Sequence, residues 1–571
     1  MKAISSARPA CHPLGVSILS LVALSTLGYS TADAATKYWD VLAGAGNGVG
    51  GSGSWAAQTT NIFSTTLTGD ASLTSAATGD DDIFQGSAGT ITLGASVAAN
   101  SLTFNTTGYK VTGSSATTRT VTGGISLASS VNLSIGNGET TDIAIGVGSI
   151  SGSSGSGLTI NGSAAGGAVI RLNLSTGTTP TISVPIAVTG TGFANISGGA
   201  AGTQVTGTVT GSGARLNLGA TSGNAITFTQ TIDNGTGTVR IAAGSSGGAG
   251  VVTLSGTSNN WGTTELNNAA SGILRMGAVN ALPTATTLTF GATSSNGNSI
   301  VELSGKDTTI GQLTNGGQSG GTLRNTSAAG ATLTISGSDT AAAAFSGALQ
   351  DGTGGGALSL IRSGTGTTTL TGTNTYTGTT SVTGGTLLVS GSATGSITSA
   401  ATVSNSGSTL GGSGTVANVT INTAAALQGG DGVTATGALS SAGNVTLNDG
   451  SQIKLTLGAS GTHSSLARTG GTWSFDSDQA FTLNLLGAEV TTYDNIITGL
   501  TGSETGLGSI GSWLITNPGV TGTFSYDGSG GVDLVITAVP EPSAFASAAL
   551  GAGLLMTYRR FRRTMRIGTS A

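Results

Sequence analysis

Pairs of apolar residues two positions apart recur along most of the chain, with Gly, Thr, Ser and Asn between them. The stretch 358–392 shows this most clearly, because turn residues join three short apolar segments: 358–361, 368–370 and 386–389. Side chains two apart share one face of a strand, so Leu387 and Val389 point one way and Leu388 the other. Thr and Val favour strands, and paired glycines can adopt the positive φ of a sharp corner. The pattern predicts a coil of a β-solenoid and no helix.

The composition alone is typical of a disordered or low-complexity chain, since 99 of the 571 residues are Gly and only 8% are charged. The apolar doublets argue against disorder, because a disordered polar chain has no reason to keep them. Stacked coils can bury a continuous core where one coil cannot, so we predict an ordered solenoid. The doublets are Ile91/Leu93, Leu102/Phe104, Leu288/Phe290, Val301/Leu303, Leu333/Ile335, Val419/Ile421, Val445/Leu447 and Ile453/Leu455/Leu457.

A second stretch, 251–277, repeats the pattern of 358–392. The corresponding segments are Leu254-Ser-Gly-Thr257 and Leu370-Thr-Gly-Thr373, then Gly262-Thr-Thr264 and Gly378-Thr-Thr380, then Leu266 and Val382. The aromatic residue is shifted by one position, Trp261 against Tyr376. Both stretches resemble the autotransporter-associated β-strand repeat, also called the passenger-associated transport repeat, closely at 358–392 and partly at 251–277. This resemblance implies an all-β, right-handed parallel β-helix exposed outside the cell.

The N-terminal segment 1–34 has the features of a secretory signal peptide. Lys2 and Arg8 precede the apolar run 14–27, and Ala32-Asp-Ala34 fits a small-residue cleavage site. We expect cleavage after Ala34, with the export machinery and a signal peptidase as partners. An N-terminal membrane anchor is disfavoured, because the apolar run is short and a cleavage site follows it.

Residues 35–110 are predicted to form an N-terminal capping region. Large aromatic residues are concentrated there, as expected if they close the open end of a core. The acidic run Asp80-Asp81-Asp82 could ligate calcium, since clustered carboxylates suit a hard cation. We favour a solvated turn for it, because the spaced ligands of an EF-hand loop are missing.

Residues 111–460 are predicted to form the β-solenoid, and 461–538 a β-rich C-terminal cap with renewed aromatic content. Within the solenoid, Arg-Leu-Asn-Leu occurs at 171–174 and again at 215–218, which suggests equivalent coils or coil pairs. Pro185 cannot donate a ladder hydrogen bond, so it should mark a strand end or a corner.

The segment 539–571 contains three signals in order. Val539-Pro540-Glu541-Pro542-Ser543 comes first, the apolar run 544–558 follows as a transmembrane segment, and a basic cluster ends it: Arg559, Arg560, Arg562, Arg563 and Arg566. The arginines favour the cytoplasmic side and leave the body outside. The order of the three resembles a PEP-CTERM sorting signal, which implies inner-membrane retention, cutting by an exosortase-type enzyme and delivery to the cell surface or matrix. A permanent anchor remains the alternative, because the same span serves either role.

Charge and reactive residues exclude several function classes. The segment 35–538 carries 12 basic and 22 acidic residues, a net charge of −10, which disfavours nucleic acid as a partner. Cys11 is the only cysteine and lies in the signal peptide, and His463 is the only histidine of the body. The G-x-S-x-G match at 244–248 has no strand-to-helix context. We therefore expect no catalytic residue, no cofactor and no metal site.

Two functions remain open at this point. The first is a non-enzymatic surface or extracellular-matrix protein with a display, adhesion or structural role, whose ligands could include extracellular polysaccharide or other surface proteins. The alternative is a β-helical polysaccharide lyase or glycosidase, with Asp476 and Asp478 or the run 80–82 as its carboxylates. The single, scattered charges favour the non-enzymatic hypothesis.

Overall fold

The computed structural model describes most of the chain between Ala34 and Pro540. The described ranges are 34–41, 49–57, 60–69, 73–77, 79–113, 119–135, 143–161, 169–174, 179–191, 193–243, 250–267, 272–291, 299–317, 320–338, 344–391 and 396–540. The predicted transmembrane run 544–558 and the tail arginines lie outside them. Within these ranges, no helical segment has the length and apolar character that crossing a membrane requires.

Short strands make up nearly all of the regular structure. The first eighteen are β1 (Thr36–Trp39), β2 (Gly53–Trp55), β3 (Phe63–Ser64), β4 (Asp81–Phe84), β5 (Thr90–Leu93), β6 (Val97–Phe104), β7 (Lys110–Gly113), β8 (Arg119–Leu127), β9 (Asn132–Ile135), β10 (Ile143–Val147), β11 (Ile150–Gly152), β12 (Gly157–Asn161), β13 (Val169–Leu174), β14 (Thr181–Ile182), β15 (Ile186–Thr189), β16 (Phe193–Gly198), β17 (Thr203–Val205) and β18 (Val209–Thr210).

The middle third of the strands covers the stretch 251–277 and the first part of the stretch 358–392. They are β19 (Leu216–Ala220), β20 (Ala225–Phe228), β21 (Ile232–Asp233), β22 (Thr238–Ala243), β23 (Val251–Leu254), β24 (Thr263–Leu266), β25 (Ile273–Met276), β26 (Thr287–Phe290), β27 (Ile300–Glu302), β28 (Thr308–Ile310), β29 (Gln312–Asn315), β30 (Thr322–Asn325), β31 (Ala331–Ile335), β32 (Ala344–Phe345), β33 (Ala348–Asp351), β34 (Leu358–Arg362), β35 (Thr367–Leu370) and β36 (Thr373–Asn374).

The last third includes two 3-10 turns, at Ala459–Gly461 and Leu507–Ser512. Its strands are β37 (Thr380–Val382), β38 (Thr386–Val389), β39 (Ser396–Ile397), β40 (Ala401–Val403), β41 (Thr409–Gly412), β42 (Thr415–Val416), β43 (Val419–Ile421), β44 (Ala426–Gln428), β45 (Ala438–Ser441), β46 (Val445–Leu447), β47 (Gln452–Gly458), β48 (Ser465–Arg468), β49 (Trp473–Ser474), β50 (Ala480–Leu486), β51 (Thr492–Thr498), β52 (Leu514–Ile515), β53 (Thr521–Tyr526) and β54 (Gly531–Ala538).

The strands stack on three faces of a right-handed parallel β-solenoid. Face 1 holds β1, β4, β6, β8, β11, β14, β17, β20, β23, β25, β27, β30, β33, β36, β39, β42, β45, β48 and β51. Face 2 holds β2, β5, β7, β9, β12, β15, β18, β21, β28, β31, β34, β37, β40, β43, β46 and β49. Face 3 holds β10, β13, β16, β19, β22, β24, β26, β29, β32, β35, β38, β41, β44, β47, β50 and β52, and the leading parts of β6 and β8 extend onto it.

The predicted apolar doublets form the core, since every one of their side chains is at most 4% exposed. In the stretch 358–392, Leu387 and Val389 are fully buried, as the two-residue period requires. Pro185 lies directly before β15, at the corner between two faces, and its carbonyl accepts a hydrogen bond from the Leu158 amide at 2.8 Å. The predictions for the doublets and for Pro185 are confirmed.

Aromatic clusters lie at both ends of the core. At the N-terminal end, the rings of Trp39, Trp55, Phe63 and Phe84 pack with centroids 5.1–6.4 Å apart. At the C-terminal end, the rings of Phe481, Trp513 and Phe524 pack together. Beside them, β54 pairs antiparallel with both β51 and β53. Parallel pairing runs across residues 110 and 460, so the capping boundaries stay predictions.

The similar stretches 251–277 and 358–392 lie on different sides of the solenoid. In the first, β23 and β25 stack on face 1 and β24 lies on face 3. In the second, β35 and β38 stack on face 3 and β37 lies on face 2. In each copy the remaining face has little strand structure. In the first copy face 2 has an isolated bridge at Asn260, and in the second copy face 1 has the two-residue strand β36. Equivalent strands of the two copies therefore lie one face apart around the solenoid.

The two Arg-Leu-Asn-Leu segments both lie on face 3, in β13 and β19, with β16 between them. Leu172 pairs with Ile196 and Ile196 with Leu218, so the two segments are offset by two residues in register. The repeat therefore spans a pair of coils, with a two-residue shift of register between its two copies.

Candidate functional site

Polar residues inside the solenoid form fixed corners between coils. The amide of Asn374 accepts from the Leu349 amide at 2.9 Å and donates to the carbonyls of Gly372 and Ser396, both at 2.9 Å. Asn259 makes the same three kinds of contact in the earlier copy: it accepts from Ile232 and donates to Gly256 and Ala281. Sequence reasoning missed these asparagines, although each precedes the shifted aromatic residue by two positions. They satisfy buried backbone groups and are structural.

The outward side of face 2 carries a row of hydroxyl side chains in register across successive coils. Every member but one is Ser or Thr: Thr309, Thr334, Ile361, Ser381, Thr402, Thr420, Thr446 and Ser474. Neighbouring strands lie about 4.8 Å apart, so the row is a ladder of hydroxyl groups at that spacing.

Charged residues also form in-register rows on the outer surface. Glu302 lies between Arg275 and Arg324 on face 1, at 2.8 and 2.6 Å from their Nη2 atoms. On face 3, Arg240 pairs with Glu265 at 2.6 Å. Each carboxylate in these rows has an arginine on a neighbouring coil, so the ion pairs stabilise the stacking of the coils.

The acidic run 80–82 is not a solvated turn, and that prediction was wrong. Asp81 and Asp82 belong to β4, and Asp82 points into the core with 0% of its surface exposed. Asp81 faces outward, where it accepts hydrogen bonds from Asn100 and Ser101. Burial, helped by the nearby charges of Asp80 and Asp81, raises the pKa of Asp82 to about 8. Alternation within β4 therefore puts the carboxylates of Asp81 and Asp82 on opposite sides of the strand, and Asp80, directly before it, accepts from the Ala77 amide at 2.7 Å.

Asp476 and Asp478, the other carboxylates named for an enzyme, come together with Asp449 at a corner of the solenoid. Ligand atoms of the three lie within 4.8 Å of one another. Asp476 Oδ2 already accepts from the Gly450 amide at 2.9 Å, which joins the turns of two coils. Asp449 and Asp478 are exposed. The arrangement is that of a hydrogen-bonded turn with two solvated carboxylates.

His463 bridges two backbone carbonyls and faces an aromatic ring. Its ring nitrogens lie 3.0 Å from the carbonyl of Ser464 and 2.9 Å from that of Asp494, and Tyr493 packs edge-on against it. A neutral imidazole donates through one ring nitrogen, so one of these contacts is a hydrogen bond. Both partners are backbone carbonyls rather than the serine hydroxyl and carboxylate of a Ser-His-Asp arrangement. The G-x-S-x-G match at 244–248 lies outside the described residues.

The sorting residues predicted from the sequence lie at the two limits of the described chain. Ala34 precedes β1, and Val539 and Pro540 follow β54, where Pro540 packs beside Gly519. Glu541, Pro542, Ser543 and the arginines Arg559, Arg560, Arg562 and Arg563 lie outside the described residues, so cleavage and retention stay predictions.

Comparison with known proteins supports the repeat. Residues 360–389 match the passenger-associated transport repeat family, which confirms the resemblance found at 358–392. Over 115 residues the chain is 40% identical to a protein named adhesin BmaC autotransporter from Brucella suis biovar 1 (strain 1330). That alignment covers 19% of this chain and 3% of the adhesin. The chain therefore contains this repeat and resembles an autotransporter adhesin, and each likeness covers a small part of the chain.

Proposed function

We propose that this chain is an exported, non-enzymatic surface or extracellular-matrix protein whose solenoid presents ordered rows of side chains for adhesion. The observation that carries this is the in-register hydroxyl row on face 2, which repeats one chemical group from coil to coil. Repeated contacts along such a row add up by multivalency, so weak individual contacts give useful avidity. The passenger-associated transport repeat and the likeness to an autotransporter adhesin support the same function.

The test compares attachment of producing cells with attachment of cells whose copy has a disrupted face 2. Replacing Thr402, Thr420 and Thr446 by Lys keeps the outward positions polar but removes three neighbouring hydroxyls of the row. Attachment to a surface coated with extracellular polysaccharide should fall by about tenfold or more, because linked contacts raise avidity by on the order of 10²–10⁴. The matched control replaces three other outward threonines by Lys, namely Thr253 on face 1 and Thr289 and Thr314 on face 3. Equal attachment by both variants would overturn the assignment to face 2.

The enzyme alternative is tested with the same purified chain. Incubation with acidic and neutral polysaccharides should give no new reducing ends and no unsaturated products. Turnover that disappears in Asp476→Asn or Asp478→Asn would replace adhesion by a lyase or glycosidase function.

We further propose that the chain leaves the cytoplasm through its signal peptide, pauses in the inner membrane and is released by an exosortase-type enzyme. The order of the motif at 539–543, the apolar run and the arginine cluster supports this route. The adhesin that this chain resembles over 115 residues is named as an autotransporter, which supports a body outside the cell.

A further inference from the structure

A groove of about 250 Å³ lies on the outer side of face 3, near the C-terminal end of the solenoid. Its floor is formed by outward residues of β44, β47 and β50, and one wall is the loop 429–437 that joins β44 to β45. The polar residues lining it are Gln428, Gly432, Lys454, Thr456, Thr482 and Asn484. Sites for drug-sized ligands measure about 300–1,000 Å³, so this groove has room for roughly one sugar ring.

The loop wall is held in place by hydrogen bonds rather than by apolar packing. Gly430 exchanges two backbone hydrogen bonds with Gly412, at 2.8 and 2.9 Å. Asp431 Oδ1 accepts from the amides of Val433 and Thr434, at 2.9 and 2.8 Å, which closes the turn. These contacts pre-form the groove, so a ligand that enters it does not have to order the loop.

Two side-chain amides donate hydrogen bonds to backbone carbonyls of the same loop. Asn484 Nδ2 donates to the Gly432 carbonyl at 2.7 Å, and Gln428 Nε2 donates to the Gly430 carbonyl at 3.3 Å. Their carbonyl oxygens, Asn484 Oδ1 and Gln428 Oε1, accept no hydrogen bond from the described part of the chain. The groove therefore offers acceptors, which suit the hydroxyl groups of a ligand.

Lys454 supplies the positive charge of the groove. Its Nζ donates to Thr409 Oγ1 at 3.0 Å, and in the described ranges it forms no ion pair. Burial lowers the pKa of Lys454, which marks an ammonium group that is partly removed from water. A half-buried ammonium with one hydroxyl partner retains two N–H donors for a carboxylate.

We propose that this groove binds a uronate residue of an acidic polysaccharide, with the sugar carboxylate on Lys454 and sugar hydroxyls on the amide oxygens of Gln428 and Asn484. Phosphate or sulfate groups fit less well, because they need several converging donors and the groove presents one cation beside two acceptor oxygens. This inference rests on the proposed adhesive function, since it adds to the hydroxyl row of face 2 a second adhesive site, on face 3, and names its ligand class.

The test measures binding of tetragalacturonate to the full chain by titration calorimetry at low salt. Its methyl ester is the matched control, because esterification keeps the ring hydroxyls and removes the negative charge of the carboxylates. We expect the acid to bind at least tenfold more tightly than the ester. Equal binding of acid and ester, or binding of neither, would overturn the proposal.

Variants of Lys454 assign the effect to the groove. Lys454→Met should remove the preference for the acid, Lys454→Arg should retain it, and the control Lys306→Met, outside the groove, should leave it unchanged. Circular dichroism and thermal unfolding show whether each variant is folded. An unchanged acid preference in folded Lys454→Met would overturn the assignment.

Failure of this proposal is distinguishable from failure of the adhesive function. If cells attach normally while the purified chain ignores tetragalacturonate, the groove assignment is wrong and adhesion stands. If the chain cleaves tetragalacturonate, the non-enzymatic function is wrong, and the Lys454 variants still decide whether the groove is where the sugar binds.

Discussion

The hydroxyl of Tyr376 lies 2.6 Å from the hydroxyl of Thr380, inside a corner that excludes water. Thr380 in turn lies 2.6 Å from the hydroxyl of Ser399 in the next coil. The earlier copy has the same chain of contacts, in which Trp261 donates to Thr264 at 2.8 Å and Thr264 lies 3.0 Å from Thr286. An aromatic side chain and two hydroxyls therefore join neighbouring coils in both copies.

Tyr376→Phe should destabilise the solenoid by about 1 kcal/mol, because it removes one buried hydrogen bond and leaves Thr380 bonded to Ser399. Thr380→Val should cost more, about 1–3 kcal/mol, since it leaves two buried hydroxyls without their partner. Urea unfolding followed by circular dichroism measures both values. The control is Tyr526→Phe, at a partly exposed tyrosine near the C-terminal end. A Tyr376→Phe effect no larger than the control effect would contradict a stabilising role for this bond.

Asp82→Asn should stabilise the N-terminal end of the solenoid increasingly as pH rises from about 4 to 8. Burial raises the pKa of Asp82 to about 8, whereas in the unfolded chain it is near its ordinary value of about 3.9. Between these values the unfolded chain has lost a proton that the folded protein keeps, so the stability of the natural protein falls with rising pH. The asparagine variant lacks this titration.

Thermal unfolding of both proteins at pH 5 and pH 8 measures the effect. The difference in unfolding free energy should be larger at pH 8, with a slope of at most about 1.4 kcal/mol per pH unit. Asp81→Asn, on the outward side of the same strand, controls for removing a carboxylate there. A stability difference that does not change with pH would show that Asp82 is not a buried acid.

Glu302→Gln should destabilise the stacking of β25, β27 and β30 by about 2 kcal/mol, because a nearly buried carboxylate holds an arginine on each side. The Glu302 side chain is 4% exposed. Glu265→Gln is the matched comparison, since Glu265 has one arginine partner and is 23% exposed. Its cost should be about 1 kcal/mol or less. Chemical denaturation of the two variants measures the difference, and equal costs would sink this ranking.

Replacing the five tail arginines, Arg559, Arg560, Arg562, Arg563 and Arg566, with glutamine should impair retention in the inner membrane before processing. The reason is that the basic cluster resists translocation while the preceding run is apolar. Mass spectrometry of the mature chain gives the C-terminal residue, which we expect to lie near Val539. A peptide spanning Arg559 to Ala571 on the mature surface form would leave a permanent anchor in place of processing.

The sequence predicted the fold from its two-residue apolar period, because that period alone decides which side chains enter the core. Leu254, Leu288 and Leu333 are all fully buried as the period requires. It could not predict that the copies at 251–277 and 358–392 lie on different faces, since the face depends on how many residues each corner consumes. It also placed Asp82 in solvent, because a run of acids hides the alternation of a strand.

The candidate sites were less predictable for a related reason. Gln428, Lys454 and Asn484 come from successive coils and meet only after stacking, so no local motif connects them. The hydroxyl row has the same character, because Thr402 and Thr420 become neighbours through the strand register. In contrast, the sorting signal at 539–571 is predicted from segments that follow one another along the chain, and it stays a prediction.

The hydrogen bonds between coils run along the stacking axis, and this has a mechanical consequence. A pull along that axis loads the seam between two coils in an unzipping direction rather than shearing many bonds together. From β15 to β49, partners on neighbouring coils are 17 to 28 residues apart, as with Thr409 and Ala426 or Val445 and Trp473. Each released coil therefore lengthens the molecule by roughly 55–95 Å. Under tension the solenoid should extend coil by coil in steps of this size and refold when the load falls.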